Sequence, residues 1–290
     1  MTCFLVMVIF LGWFASLYFG NPTILYFFVA FSILMNFFSY WYSDKIVLKM
    51  SGAKRVSREE HRELWNVLEN LCIAAGIQMP KLYIINDPAP NAFATGRDEK
   101  HAAVAVTQGL LDMLDCSELE GVLAHELSHI KNRDILIMTI VVVLVGFVTL
   151  LSDFLLRWSF FGGANRDRGS GQMQLIMVVA GLVLAILAPI IAVVIQLAVS
   201  RKREFLADAS AALLTRYPDG LASALRKISG YGGELKRANH AMAHMYIASP
   251  FKGKHKRGFF AKMFMTHPPV EERIGALTGG RGVDQPNSIL

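Results

Sequence analysis

Residues 117–130 read Ser-Glu-Leu-Glu-Gly-Val-Leu-Ala-His-Glu-Leu-Ser-His-Ile, a stretch that begins as helices commonly do. Ser117 followed three residues later by Glu120 predicts a capping box at the helix N-terminus. His125 and His129 are four residues apart, so both imidazoles project from one helical face, a turn apart. This spacing is that of the zinc-binding H-E-x-x-H motif.

A catalytic zinc site needs more than these two histidines, because it takes three protein ligands and leaves a fourth position for water. Residues 200–208 read SRKREFLAD, and Glu204 in this run is the candidate third ligand. Asp208 follows four residues later on the same helical face, placed to hydrogen-bond a ligand histidine. Glu126 lies beside His125, placed to act on a bound water. Two alternatives remain open. One is a surface helix with two histidines, and the other is a scaffold with structural zinc, which would have no reason to keep Glu126.

Long runs without charge set the rest of the chain apart from a soluble domain. Hydrophobic residues make up 53% of its 290 residues, the mean hydropathy is +0.40 and 18% are charged, against about 25% in an average soluble protein. Residues 2–43, 135–152 and 169–200 contain no Asp, Glu, Lys, Arg or His. The first run is about twice the length that one membrane helix needs, and Gly20-Asn21-Pro22 marks a turn inside it. The sequence therefore predicts four transmembrane helices in two hairpins.

Two alternatives to this interpretation apply to single runs. The first run could be a cleaved signal peptide, although no basic residues precede it and no small-residue cleavage site ends it cleanly. The run at 135–152, taken alone, could be a buried core helix. Neither alternative accounts for all three runs together.

The basic residues predict the side of the membrane that each polar segment faces. Of the 29 Lys and Arg, 26 belong to one side of the predicted spans, and three lie in the loop between the last two spans: Arg157, Arg166 and Arg168. Because positive charge near span ends favours the cytoplasm, we expect both termini and both polar segments there. The predicted domains are a membrane hairpin at 1–42, a cytoplasmic segment at 43–133, a second hairpin at 134–198 and a cytoplasmic segment at 199–290. Two crossings separate His129 from Glu204, so both lie on one side.

Four runs of the sequence together resemble the HtpX family, the membrane-bound zinc metalloproteases of bacteria. They are Asn91-Ala-Phe-Ala-Thr-Gly, His125-Glu-Leu-Ser-His-Ile-Lys-Asn-Arg-Asp, Ser200-Arg-Lys-Arg-Glu-Phe-Leu-Ala-Asp-Ala and His267-Pro-Pro-Val-Glu-Glu-Arg. The resemblance covers essentially the whole chain, including the four spans and their order. The loop at 160–172 and the tail after Thr278 carry no matching motif.

The resemblance implies an α+β, mostly helical protein with a gluzincin-like catalytic domain, in which helices pack on a small sheet. It implies one zinc ion per chain, held by His125, His129 and Glu204. Glu126 would polarise the attacking water, and His267 and Arg273 would add hydrogen bonds to the oxyanion.

The implied partners are the lipid bilayer of the inner membrane and misfolded membrane proteins, cleaved at the cytoplasmic face in quality control and the stress response. Nucleic acid is not expected as a partner, and the oligomeric state stays open. The related prenyl-protein endopeptidases use the same zinc motif on a larger membrane body, so a C-terminal processing role also stays open.

The substrate is expected to bind at Asn91, Ala92, Phe93 and Ala94. These residues lie between two strand-like stretches, 81–85 and 102–107, and they could form an edge strand. Such an edge would pair with an extended substrate through backbone hydrogen bonds. The alternative is a plain connecting loop.

Three further features are expected to carry less function. His240 and His244 repeat the four-residue spacing without a neighbouring acid, so packing explains them better than a second metal. Residues 251–264 mix basic side chains with Phe, and we expect contact with an anionic bilayer there in preference to RNA, or a solvated loop. Three scattered cysteines are too few for a disulfide framework.

Overall fold

The computed structural model describes residues 2–140, 201–233, 235–236, 245–247 and 268–279, together with the isolated positions 143, 179 and 183. The two predicted spans after residue 134 lie almost wholly outside these residues. His240, His244, His267 and the stretch 251–264 also lie outside them. The chain forms two compact units, of which the first comprises residues 1–46 and 140–192, and the second residues 47–139 and 193–290. The domain boundaries given above stay a prediction.

A pair of helices begins the chain, as the charge-free run predicts, and the second of them ends just inside the second unit. Helix α1 covers Thr2–Phe19 and helix α2 covers Thr23–Ser51. Gly20 has a left-handed φ of 61°, and the side chain of Asn21 accepts a hydrogen bond from the Thr23 N–H at 3.0 Å. Helix α2 continues well past residue 42, where the sequence pattern placed its end. The charges that follow residue 43 do not break a helix, and Gly52 is the first residue that does.

Among the described helices, α2 is the one that is long and apolar enough to cross a membrane. The four predicted spans are therefore not confirmed.

The second unit contains a four-stranded mixed sheet in the order β1-β2-β4-β3. Its strands are β1 Lys54–Arg55, β2 Lys81–Ile85, β3 Ala92–Thr95 and β4 Ala103–Thr107. Strands β2 and β4 are parallel, and the other two pairs are antiparallel. The predicted strands at 81–85 and 102–107 are confirmed to within one residue. Strand β3 lies at an edge of the sheet, so the residues from 92 to 95 are a strand and not a plain loop.

Six helices have both ends within the described part of the second unit. They are α3 Arg62–Ala75, α4 Gln108–Met113, α5 Cys116–Lys131, α6 Arg201–Thr215, α7 Pro218–Gly230 and α8 Val270–Leu277. Helix α5 is central, because it contacts α3, α6, α7 and β3. Its apolar residues Val122, Leu123 and Leu127 are at most 1% exposed. The described residues are thus mostly helical with a small mixed sheet, as expected.

Candidate metal centre

Helix α5 carries the first two candidate ligands, and a capping box fixes where it begins. Asp115 is the N-cap, and its carboxylate accepts a hydrogen bond from the Glu118 N–H at 2.9 Å. The Glu118 carboxylate accepts one in return from the Asp115 N–H, also at 2.9 Å. The prediction of Ser117 as cap was therefore wrong by two residues. Because Asp115 is likewise followed three residues later by a Glu, it competes with Ser117 for the role and prevails.

The described residues of the predicted ligand set converge in the interior of the second unit. The Nε2 atoms of His125 and His129 are 3.2 Å apart. Glu204, on α6, brings one carboxylate oxygen to 3.5 Å from the His129 Nε2 and the other to 3.8 Å from the His125 Nε2. All three side chains are buried.

The spacing of these donor atoms fits a zinc ion. Ligand atoms about 2.0–2.2 Å from a tetrahedral zinc lie about 3.3–3.6 Å from one another. The 3.2 Å between the two Nε2 atoms and the 3.5 Å from the His129 Nε2 to the Glu204 Oε1 lie close to this range, and one ligand atom from each of the three side chains lies within 4.8 Å of the others. Two imidazoles and a carboxylate also form a ligand set that catalytic zinc uses. Buried side chains of this kind are costly to desolvate, and a shared cation would offset that cost.

Asp208 lies where the sequence placed it, beside a ligand histidine. Its Oδ1 is 2.9 Å from the Nδ1 of His125, so the Nε2 of His125 is left facing the other donors. Arg273 donates two hydrogen bonds to the same carboxylate, from Nε at 2.8 Å and from Nη2 at 2.6 Å. Burial raises the pKa of Asp208, but the hydrogen bonds from Arg273 and His125 outweigh it and hold that pKa at about 2. The carboxylate is therefore charged at neutral pH.

Arg273 is buried, 1% exposed, and its strongest contacts are with Asp208 and the main chain. Its Nη1 donates to the carbonyl of Ile247 at 3.2 Å. Its expected role at the oxyanion stays a prediction. The other residue expected there, His267, is outside the described part of the chain.

Glu126 is 2% exposed and lies on α5 next to His125. Burial raises its pKa to about 7, and the nearby charge of Glu204 also raises it, whereas His129 and a hydrogen bond from the Ala94 main chain lower it. That hydrogen bond joins the candidate base to strand β3. Burial likewise lowers the pKa of His125 to about 4, so its imidazole is neutral at pH 7, as a metal ligand must be.

The four residues predicted to bind substrate lie close to Glu126, but the segment they form is in contact with residues 245–247 of the chain. Asn91, Ala92, Phe93 and Ala94 are at most 3% exposed. The Ile247 N–H donates to the Ala92 carbonyl at 3.0 Å. The ring of Tyr246 packs edge-on against Phe93, with 5.4 Å between ring centroids. The carbonyl of Ala92 therefore already has a partner within the protein.

Sequence reasoning missed two charged residues at this centre, Asp134 and Arg203. The Oδ2 of Asp134 is 3.1 Å from the Nδ1 of His129. Arg203 pairs with the other oxygen of Asp134. A signal for Asp134 was present, since it is an acidic residue just beyond the end of the histidine helix.

The chain is similar to known proteins over most of its length. The sequence model of peptidase family M48 matches residues 58–280. A protein named "Protease HtpX homolog" from Tropheryma whipplei (strain Twist) is 53% identical over 238 residues, which cover 82% of this chain and 79% of that one. The protein of the same name from Caldanaerobacter subterraneus subsp. tengcongensis is 46% identical over 269 residues, covering 92% and 88%. The one from Pyrococcus furiosus is 50% identical over 254 residues, covering 86% and 84%.

Among solved structures, the crystal structure of S. mikatae Ste24p superposes with a TM-score of 0.54 at 19% identity. The superposition covers 93% of this chain and 62% of that protein. At this level of identity the likeness concerns the fold alone.

Proposed function

The chain belongs to peptidase family M48 and, within it, to the HtpX proteases, and from this premise we propose a zinc-dependent endopeptidase of the bacterial inner membrane. Family membership makes the chain a metallopeptidase. The observation that carries the finer proposal is the buried convergence of His125, His129 and Glu204 beside Glu126. Its substrates would be misfolded membrane proteins, cleaved at the cytoplasmic face.

The chemistry divides between the metal and the side chains of α5 and α6. His125, His129 and Glu204 would hold the zinc, and zinc, when bound, supplies a Lewis acid that makes water a stronger nucleophile near pH 7. Glu126 would accept the proton of the attacking water and then pass it to the nitrogen of the leaving amine. The hydrogen bond from the Ala94 main chain would hold the Glu126 carboxylate in place for both transfers.

Strand β3 is the proposed site for the substrate main chain. An extended peptide that adds to this edge would use the main-chain groups of β3, which gives broad specificity because side chains are little recognised. The Ala92 carbonyl, which now accepts from Ile247, would be one of these groups. Substrate binding would then displace the main chain of residues 245–247 from β3.

The membrane location is supported by the surface of α2. In the most apolar stretch of 18 residues in α2, 17% of the residues are buried, whereas the core helix of a soluble protein is mostly buried. Large aromatic side chains on this helix are exposed, among them Tyr26, Phe27, Phe37 and Trp41. A lipid bilayer would cover such an apolar surface and remove it from water.

The proposal is tested with the full-length, zinc-loaded protein reconstituted into vesicles. The substrates are an unfolded membrane protein, a folded soluble protein and a prenylated peptide, each also incubated with a chelated sample. We expect fragments from the unfolded membrane protein alone, and none after chelation. Single-site cleavage restricted to the prenylated peptide would instead indicate C-terminal processing. No cleavage of any substrate would contradict an endopeptidase and favour a zinc-bearing scaffold.

A further inference from the structure

Both histidines of the candidate metal centre have a carboxylate behind them. Asp208 lies behind His125, as the sequence spacing predicted. Asp134 lies behind His129, with its Oδ2 at 3.1 Å from the Nδ1 of the ring, and it is 3% exposed. Because its Nδ1 donates to Asp134, the ring of His129 presents its Nε2 to the other donor atoms.

The chain makes a sharp turn to bring Asp134 to this position. Helix α5 ends at Lys131, and Arg133 then adopts a left-handed φ of 60°, which side chains other than Gly rarely take. A new helical stretch begins at Asp134. Unfavourable backbone conformations of this kind persist where the surrounding structure requires them, often at functional sites.

Arg203 completes the arrangement from a different helix. It pairs with the Oδ1 of Asp134, and its Nη2 donates to the carbonyl of Asn132 at 3.1 Å. Arg203 immediately precedes Glu204 on α6. The packing of α6 against α5 therefore brings both Glu204, the third candidate ligand, and Arg203, the partner of Asp134, to the centre.

The two histidines thus have equivalent supports. Arg273 holds Asp208, which contacts His125, and Arg203 holds Asp134, which contacts His129. In each case an arginine neutralises a buried carboxylate, and the carboxylate fixes the orientation of an imidazole. Groups behind a metal ligand commonly act in this way.

We propose that Asp134 and Arg203 are positioning residues for His129. Asp134 fixes the ring so that its Nε2 points into the donor cluster, and Arg203 holds Asp134 in that position. The inference rests on the proposed metal site, since it assigns the support of one of its ligands. Both residues act through His129 and not on the reacting atoms.

If Asp134 and Arg203 only held helical segments together, their loss would lower stability without a specific effect on metal binding. A second ion pair with a buried carboxylate serves as the matched control. Glu118, also on α5 and 2% exposed, pairs with Lys227 on α7 at 2.6 Å. This pair ties α5 to a neighbouring helix, much as Asp134 and Arg203 tie the segment after α5 to α6, but the Glu118 carboxylate accepts its other hydrogen bonds from Ser223 and Asp115 and not from the metal donors. The exposed fraction of the Lys227 side chain, 42%, is also close to the 37% of Arg203.

The test measures zinc affinity by chelator competition on the full-length protein in detergent, with the melting temperature recorded for each variant. We expect Asp134→Asn to weaken zinc binding on the order of 10–100-fold. Arg203→Met should weaken it by a smaller factor, and Arg203→Lys should restore part of the loss because the positive charge is kept. Glu118→Gln and Lys227→Met should lower the melting temperature and leave zinc affinity unchanged.

Zinc affinity equal to wild type in both Asp134→Asn and Arg203→Met would overturn the inference, and so would an equal loss in the Glu118 control. Arg203→Met keeps the test decisive should Asp134→Asn not fold, since Arg203 is partly exposed. A wild-type chain that binds no zinc would overturn the proposed function itself, which is a distinguishable result.

Discussion

Glu118 illustrates how single side chains stabilise the helix that carries the candidate centre. Its carboxylate accepts hydrogen bonds from Lys227 Nζ at 2.6 Å, from Ser223 Oγ at 2.6 Å and from the Asp115 N–H at 2.9 Å. Burial raises the pKa of Glu118, but these hydrogen bonds lower it more, so the folded-state pKa lies below the ordinary value of 4.5. The charged form is therefore favoured by folding.

Glu118→Gln tests this account through the pH dependence of stability. Because the folded-state pKa is lowered, the carboxylate stabilises the fold above pH 4.5, and this contribution is lost as the pH falls through the folded-state pKa. We expect the variant to lose about 1–2 kcal/mol at pH 7. The difference in melting temperature between wild type and variant should narrow below pH 4.5. A difference that stays constant with pH would show that the charge of Glu118 contributes nothing.

At the residue scale, sequence spacing placed the residues that share a helical face and failed where the chain turns. His125 and His129 are related by helical periodicity, and so are Glu204 and Asp208, and the structure brings these four together. Asp134 reaches His129 only because Arg133 takes a left-handed conformation. Nothing in the local sequence signals that conformation in an arginine, so the sequence showed an acidic residue beyond the histidine helix but not its contact with His129.

At the scale of secondary structure, the close approach of α5 and α7 depends on two glycines. A Cβ added at Gly121, on α5, would lie 2.7 Å from the main-chain nitrogen of Leu221. A Cβ at Gly220, on α7, would lie 2.6 Å from the carbonyl oxygen of Ser117. Both distances are shorter than a carbon atom can accept from backbone, so the two helices pack with their main chains nearly in contact.

Gly121→Ala should separate these helices, since backbone atoms cannot move aside as a side chain can. We expect a loss of about 1–3 kcal/mol, measured as a fall in melting temperature. Gly275→Ala, on α8, is the matched control, because no described heavy atom lies within 4 Å of an added Cβ there. That change should leave stability unchanged or raise it by about 0.5–1 kcal/mol. Equal effects of the two substitutions would contradict the role of the α5–α7 contact.

Element boundaries were predictable where a local pattern determines them. The strands at 81–85 and 102–107 have the β-branched and apolar composition of buried strands, and both were found. Strand β1, Lys54–Arg55, was not predicted, because two charged residues carry no such pattern. They form a strand only through pairing with Ile84 and Tyr83. The end of α2 was misplaced because charge was used to mark it, whereas Gly52 ends the helix.

At the scale of the whole molecule, the distribution of basic residues remains the basis for orientation in the membrane. The 26 Lys and Arg on one side of the predicted spans and the three in the loop at 157–168 predict opposite locations for these segments. The second unit joins two stretches of sequence that a predicted hairpin separates. The even number of predicted crossings puts both stretches in one compartment, and the orientation decides which compartment that is.

This orientation is testable with reporter fusions. Green fluorescent protein, fused at residue 290, should fluoresce, and alkaline phosphatase at the same position should be inactive. Alkaline phosphatase inserted in the loop at 160–172 should be active, because that loop is predicted to lie outside the cytoplasm. Active phosphatase at residue 290 would contradict the predicted cytoplasmic location of the second unit.

The measurement that tests the account most directly is the rate of peptide hydrolysis by Glu126→Gln at the same bound zinc content as the wild type. The substituted amide would keep nearly the same shape as the carboxylate but could not accept the proton of the attacking water. We expect zinc binding to be retained and the rate to fall on the order of 10²–10⁴-fold, the contribution typical of a positioned general base. A Glu126→Gln variant that hydrolyses substrate at the wild-type rate, with zinc bound, would contradict the assignment of this centre as the catalytic site.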